Sequence, residues 1–291
     1  MRLIPVIDIR GGEAVAASRG DRANYRPLQT PLAENADPVA VARALHGLFP
    51  FPTLYVADLD GIEGRGADLA MQRRLADAWP GRELWIDDGL ADGHIADGGL
   101  PLTLALPTSS RRLASGEMGR GSVEDHPHDA IPPPLWGRLG GGGSRQPIKS
   151  PRPYREVVAR VMGSEVLKSV SDYTRERAAA GPDAPLSLDF RGDAFLGPPE
   201  LLADANLWPR RVIVMTLARV GSGEGPDLAR LASIVARAGA REVFAAGGVR
   251  NAEDVKALQG IGVAGALVST ALHRGAITSN DLDALGAETD G

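Results

Sequence analysis

The stretch VIDIRGG, Val6 to Gly12, returns later in the chain as SLDFRGD, Ser187 to Asp193. Each copy sets an apolar run before an aspartate, then an apolar residue, then Arg-Gly. A phrase repeated at this distance constrains the fold strongly, because internal repeats mark repeated structural units. Around both copies, short apolar runs alternate with helical patterns. The runs expected to be strands are 2–9, 53–59, 83–87, 157–163, 185–190, 211–217, 242–247 and 265–270. Most are near-continuously apolar, as parallel strands covered on both faces must be.

Helices fit between these runs. One is expected to begin at Asp37-Pro38, a cap followed by proline at the first helical position. Another is expected near Gly225-Pro226, with Leu228, Leu231, Ile234 and Val235 at helical spacing. A third starts at Asn251. Eight strands each followed by a helix or helix remnant predict an α/β protein, a (β/α)8 TIM barrel over residues 1–291. The two copies of the phrase end strands 1 and 5. LYVADLDGIEG then matches VIVMTLARVGSGEG, WIDDGLADG matches FAAGGVRNAED, and VMGSEVLKS matches LVSTALHRG. The barrel is read as two half-barrels of four βα units. Asp8 and Asp189 then face each other across the mouth where catalytic residues of this fold sit.

The excess length between them falls at 99–153, rich in Pro, Gly, Ser and Arg and without sustained periodicity. It is read as a disordered insertion between helix 3 and strand 4, on the face opposite the chemistry. PLTLAL and PPPLWGRLGGGGS resemble translated bacterial repeat elements inserted in frame, and IPPPLW as a polyproline partner motif is the alternative.

Composition narrows the function. An apolar fraction of 43% supplies a sizeable core, and 32 Lys and Arg against 37 Asp and Glu leave a net charge of −5. Neither nucleic acid nor an acidic membrane is an expected partner. The absence of cysteine excludes disulfides and thiolate metal sites. The N-terminal apolar run is too short for a signal peptide, and no run spans a bilayer, so a cytoplasmic chain is expected. His46, His94, His126, His128 and His273 show no ligand spacing at strand ends, so no metal and no cofactor are expected. A monomer is expected.

With these motifs in order, the chain resembles the HisA/HisF family of histidine biosynthesis, sugar-phosphate isomerases and cyclases with a doubled half-barrel. IPVIDIRGG, RGD (19–21) with Tyr25, VADLDGI, AGGV (246–249) and STALHRG stand at the family's strand ends. The isomerase branch is the nearer. The resemblance implies an Amadori rearrangement of an aminoaldose phosphate to an aminoketose, with Asp8 as general base and Asp189 as general acid. Two carboxyls suit this when their environments separate their roles. Strand-end aspartates that merely cap loops are the plainer alternative. Gly247 and Gly248 open helix 7, where backbone N–H groups receive phosphate, and Ser269, Thr270 and Ala271 complete the usual barrel phosphate site. Thr216 matches a family threonine that bonds substrate; a β-former in a strand explains it equally.

Two departures matter. The family holds a second phosphate at strands 3 and 4, where this chain puts Asp87 and Asp88 in place of glycines. At least one should face the mouth and could hold a hydroxyl or an amine of the ligand. The loop arginine of the isomerases falls near Ala16, while Arg19, Arg22 and Arg26 either lid the site or form a solvated basic loop. The expectation is an isomerase-like enzyme acting on a phosphorylated sugar or related metabolite. The alternatives are a non-catalytic phosphometabolite-binding relative and a true histidine-biosynthesis ribotide isomerase.

Overall fold

The computed structural model describes residues 1–89 and 158–286; the segment 99–153 lies outside them, and the readings made of it with it. The barrel strands are β1 (Arg2–Arg10), β2 (Thr53–Asp58), β3 (Glu83–Asp87), β4 in two pieces (Val158–Arg160 and Met162–Gly163), β5 (Leu186–Arg191), β6 (Arg211–Thr216), β7 (Glu242–Ala246) and β8 (Gly265–Val268). Every neighbouring pair is parallel, and β8 returns to β1 with Leu3 opposite Ala266. At β4 the first piece pairs with β3 and the second with β5. Between them, Val161 N donates to Ile86 O at 2.8 Å and Met162 N to Pro185 O at 2.9 Å, which carries the ladder across.

Inward and outward side chains form two cores, as the alternation of Cβ directions along a strand requires. Ile4, Tyr55, Trp85, Ile213, Phe244 and Leu267 fill the barrel. The outer core lies under the helices and includes Val41 and Leu45 of α1 (Pro38–Leu48). Trp85 and Phe244, related by the half-barrel repeat, meet edge to face with centroids 4.9 Å apart. α1 begins as expected, with the Asp37 side chain accepting from Ala40 N at 3.2 Å. The helix expected near Gly225-Pro226 begins two residues later, at Leu228. Asp227 accepts from Arg230 N at 3.1 Å and sets that start.

The repeated phrase has a conformational reason. Past Asp8, β1 turns at Gly11 and Gly12 into Glu13–Ala16, which pairs back on it with Asp8 opposite Val15. Past Asp189, β5 turns at Gly192 into Ala194–Leu196, with Asp189 opposite Leu196. Gly11 and Gly12 sit at φ 57° and 79°, as a two-residue hairpin of the I′ type demands, and Gly192 sits at φ 60°. Each Arg-Gly thus folds a short return strand beside its aspartate.

Candidate active site

Asp8, Asp87 and Asp189 project from β1, β3 and β5 into one cavity of about 340 Å³ at the C-terminal end of the barrel. Tyr55, on β2, donates to Asp87 Oδ2 at 2.9 Å. Asp189 has more partners: Ser187 Oγ lies 2.6 Å from Oδ1, and the Glu165 backbone N donates to Oδ2 at 3.1 Å. Ser164 Oγ accepts from Asp189 N at 2.9 Å, which pins the strand end. The Asp8 carboxyl faces the cavity and accepts no hydrogen bond from the described residues. Gly163 separates the other two carboxyls. A Cβ there would lie 3.7 Å from Asp189 Oδ2 and 3.7 Å from both oxygens of Asp87.

Burial dominates the electrostatics, because a carboxylate removed from water is costly. It raises Asp8 to about 7, and the Arg22 guanidinium limits the rise. It raises Asp189 to about 7, with Glu165 adding to the rise and the serine donors opposing it. Asp87 reaches about 8, through burial first and then through Asp189 and Glu165. Asp189 lies close enough for its charge to raise Asp87, so the titration of these two is linked.

The opposite side of the cavity has another character. Gly247, Gly248, Ser269, Thr270 and Ala271 line it, and so do the side chains of Arg250 and Arg274. Gly247 and Gly248 take φ of 99° and 90°. A Cβ on Gly248 would stand 2.3 Å from Gly225 O, and one on Gly247 2.6 Å from Thr216 O. Backbone and neighbouring loops therefore both demand glycine here. The glycines lead into α7 (Ala252–Gly260) through Asn251, its cap. Ser269 precedes α8 (Thr270–His273), whose first N–H groups have no acceptor within the helix. Thr216 is buried at the end of β6 and does not line the cavity.

The sequence pattern of the family described as histidine biosynthesis protein matches residues 205–278. An imidazole-4-carboxamide isomerase of Rubrobacter xylanophilus, whose name carries two phosphoribosyl groups, is 28% identical over 96% of this chain and 94% of its own. An isomerase of the same name from Thermus thermophilus is 28% identical over 95% and 96%, and that from Cutibacterium acnes 27% over 96% and 89%. The chain is HisA-like: it resembles these isomerases along nearly its whole length.

In this HisA-like protein the Asp87-Asp88 pair divides. Asp87 faces the cavity, whereas Asp88 points away, bound by Arg160 and by Gln72 Nε2 at 3.2 Å. Arg19 is also away from the cavity, exposed and 3.6 Å from Glu224. The loop arginine at the mouth is Arg22, which reaches across to form an ion pair with Glu165 beyond β4. Tyr25, raised to about 12 by burial and by Asp8, lines the same region. Arg22 belonged to a loop read either way, and Tyr55, Glu165, Arg250 and Arg274 were missed as site residues. Glu165 had a signal: in the repeat of VMGSEVLKS with LVSTALHRG it stands where Ala271 stands. Among the described residues, no group of acids and histidines is arranged to hold a metal ion, and no helix is long and apolar enough to cross a membrane.

Proposed function

We propose that this HisA-like chain is an isomerase that converts an aminoaldose phosphate to an aminoketose phosphate, with Asp189 as general acid and Asp8 as general base. The carrying observation is that both aspartates, at repeat-related strand ends, face one cavity and are held near neutrality, about 7 each. A group poised there is effective in either protonation state at neutral pH. Protonated Asp189 gives its proton to the ring oxygen, the C1–O bond breaks, and a protonated Schiff base forms at C1. Ionised Asp8 then takes the C2 proton, leaving an enolamine. Loss of the C2 hydroxyl proton and protonation at C1 give the ketone, so the net change moves hydrogen from C2 to C1. With both midpoints at about 7, the state with one acid ionised and the other protonated is well populated at neutral pH, and the first step needs that state.

The phosphate is proposed to sit at Gly247, Gly248, Ser269, Thr270 and Ala271, with Arg274 supplying positive charge and Arg250, paired with Asp254 at 2.7 Å, lining the same side. The relatives' names and their coverage of nearly the whole chain support the isomerase reading. The test is turnover of aminoaldose phosphates, followed by deuterium loss from C2. Asp8→Asn and Asp189→Asn should each lower it at least a hundredfold. Turnover at the parent rate by both variants would remove the two acids from the chemistry.

A further inference from the structure

The charges around the cavity are separated, and that separation describes a ligand. Arg250 and Arg274 line it beside Gly247, Gly248 and Ser269, on the β7 and β8 side. Asp87, Glu165 and Asp189 line it on the β3, β4 and β5 side. Glu165 is answered by Arg22, but Asp87 has only the Tyr55 hydroxyl and Asp189 only hydroxyl and backbone donors. No cation is paired with Asp87 among the described residues, although its side chain is buried.

From this arrangement we infer that Asp87 is a specificity-determining residue which, with Glu165 beside it, selects a substrate carrying one phosphate at one end and a positively charged amine at the other. The inference rests on the placement of phosphate at the strand 7 and 8 glycines proposed above. In the half-barrel repeat, Asp88 and Gly89 stand where Gly247 and Gly248 stand, and Asp87 where Ala246 stands. One backbone feature of the glycine cup recurs on this side. Gly89 retains a positive φ of 69°, and its Cβ would lie 2.5 Å from Ile62 Cα. The charge differs, since carboxyls line the cavity at positions 87 and 165 in place of Ala246 and Ala271.

A second phosphate there would meet the Glu165 carboxylate and would oppose ionisation of Asp87, which has no cation of its own. An ammonium would be attracted by both and could donate to the Asp87 oxygen that Tyr55 leaves open. It would also favour the ionised forms of acids that burial holds protonated. Binding should therefore release a proton from Asp87, which Tyr55, Glu165, Asp189, Asp88 and Arg22 face.

Calorimetry at pH 7 with glucosamine 6-phosphate, glucose 6-phosphate and glucose 1,6-bisphosphate tests the selection, and inorganic phosphate probes the glycine cup alone. The amine should bind at least tenfold tighter than glucose 6-phosphate, and the bisphosphate weakest. Binding of the amine should release protons, read from enthalpies in buffers of different ionisation heat. Asp87→Asn and Glu165→Gln should each erase most of the amine preference and leave the inorganic phosphate affinity within twofold. Failure to favour the amine, through equal affinities or through no binding of either sugar, overturns the inference. So does tighter binding of the bisphosphate. These readouts are binding constants, so they stand or fall apart from turnover by Asp8 and Asp189.

Discussion

Tyr55 and Asp87 form a buried hydrogen-bonded pair on adjacent strands, with the phenol donating to Oδ2 at 2.9 Å. Both groups are held in their neutral forms: burial carries Asp87 to about 8 and pushes the Tyr55 hydroxyl well above its usual range. The bond favours the ionised carboxylate, so it restrains the rise in Asp87. Tyr55→Phe should move the Asp87 midpoint further up, and cost about 1 kcal/mol of stability for the lost bond. Carbon-detected NMR titration of the Asp87 carboxyl reads the midpoint. An unchanged or lower value would show that the hydroxyl does not stabilise the anion.

The raised acids make a statement about stability. Asp87 ionises near 3.8 when unfolded and at about 8 when folded, so the folded state binds the extra proton. Its contribution is complete below about pH 4 and is lost as pH rises towards 8. Asp87→Asn keeps the shape and removes the charge. The variant should match the parent near pH 4 and exceed it by about 2 kcal/mol at pH 9. The ceiling is ~5.5 kcal/mol, reduced by water entering the cavity. Urea unfolding at both pH values measures this, and a variant no more stable than the parent at pH 9 contradicts it.

Arg22 lowers Asp8 against its burial. Arg22→Met should therefore raise Asp8 further and shift the acid limb of kcat/KM to higher pH. The variant also leaves Glu165 without its cation. A profile that only falls in height, with its limbs unmoved, would make Arg22 a purely mechanical part of the mouth.

Gly248→Ala is expected to lose inorganic phosphate binding and at least ~2 kcal/mol of stability. The new Cβ would lie 2.3 Å from Gly225 O at a φ of 90°. Gly47, inside α1 with nothing within 4 Å of a Cβ, is the control. Gly47→Ala should be neutral or stabilising. Thermal melts with and without phosphate compare the two.

Much of the barrel was legible because its strands are apolar on both faces, and because Asp37 and Asn251 cap helices by a local rule. The helix expected near Gly225-Pro226 starts at Leu228 because Asp227, next after the proline, supplies the cap. The alternation of Asp87 and Asp88 was legible, but which one turns inward was not. That follows from register: Asp87 pairs with Ala57 and shares the inner face with Trp85. Thr216 was assigned to the site by resemblance, yet its neighbour Met215 occupies the inward position. Glu165 sits in a short 3-10 turn after β4, where no periodicity announces a side chain's direction.

The two halves of the barrel share the Asp-x-Arg-Gly hairpin and the Trp85–Phe244 contact, but not the charge at their strand ends. Had both cups stayed alike, a ligand with similar ends could enter either way round, and each aspartate would meet the wrong carbon half the time. Unlike cups make the cavity a one-way socket: glycines and arginines at one end, Asp87 and Glu165 at the other. In the proposed reaction, direction is thereby fixed before any proton moves, and two side chains alike in kind and in pKa are given different work.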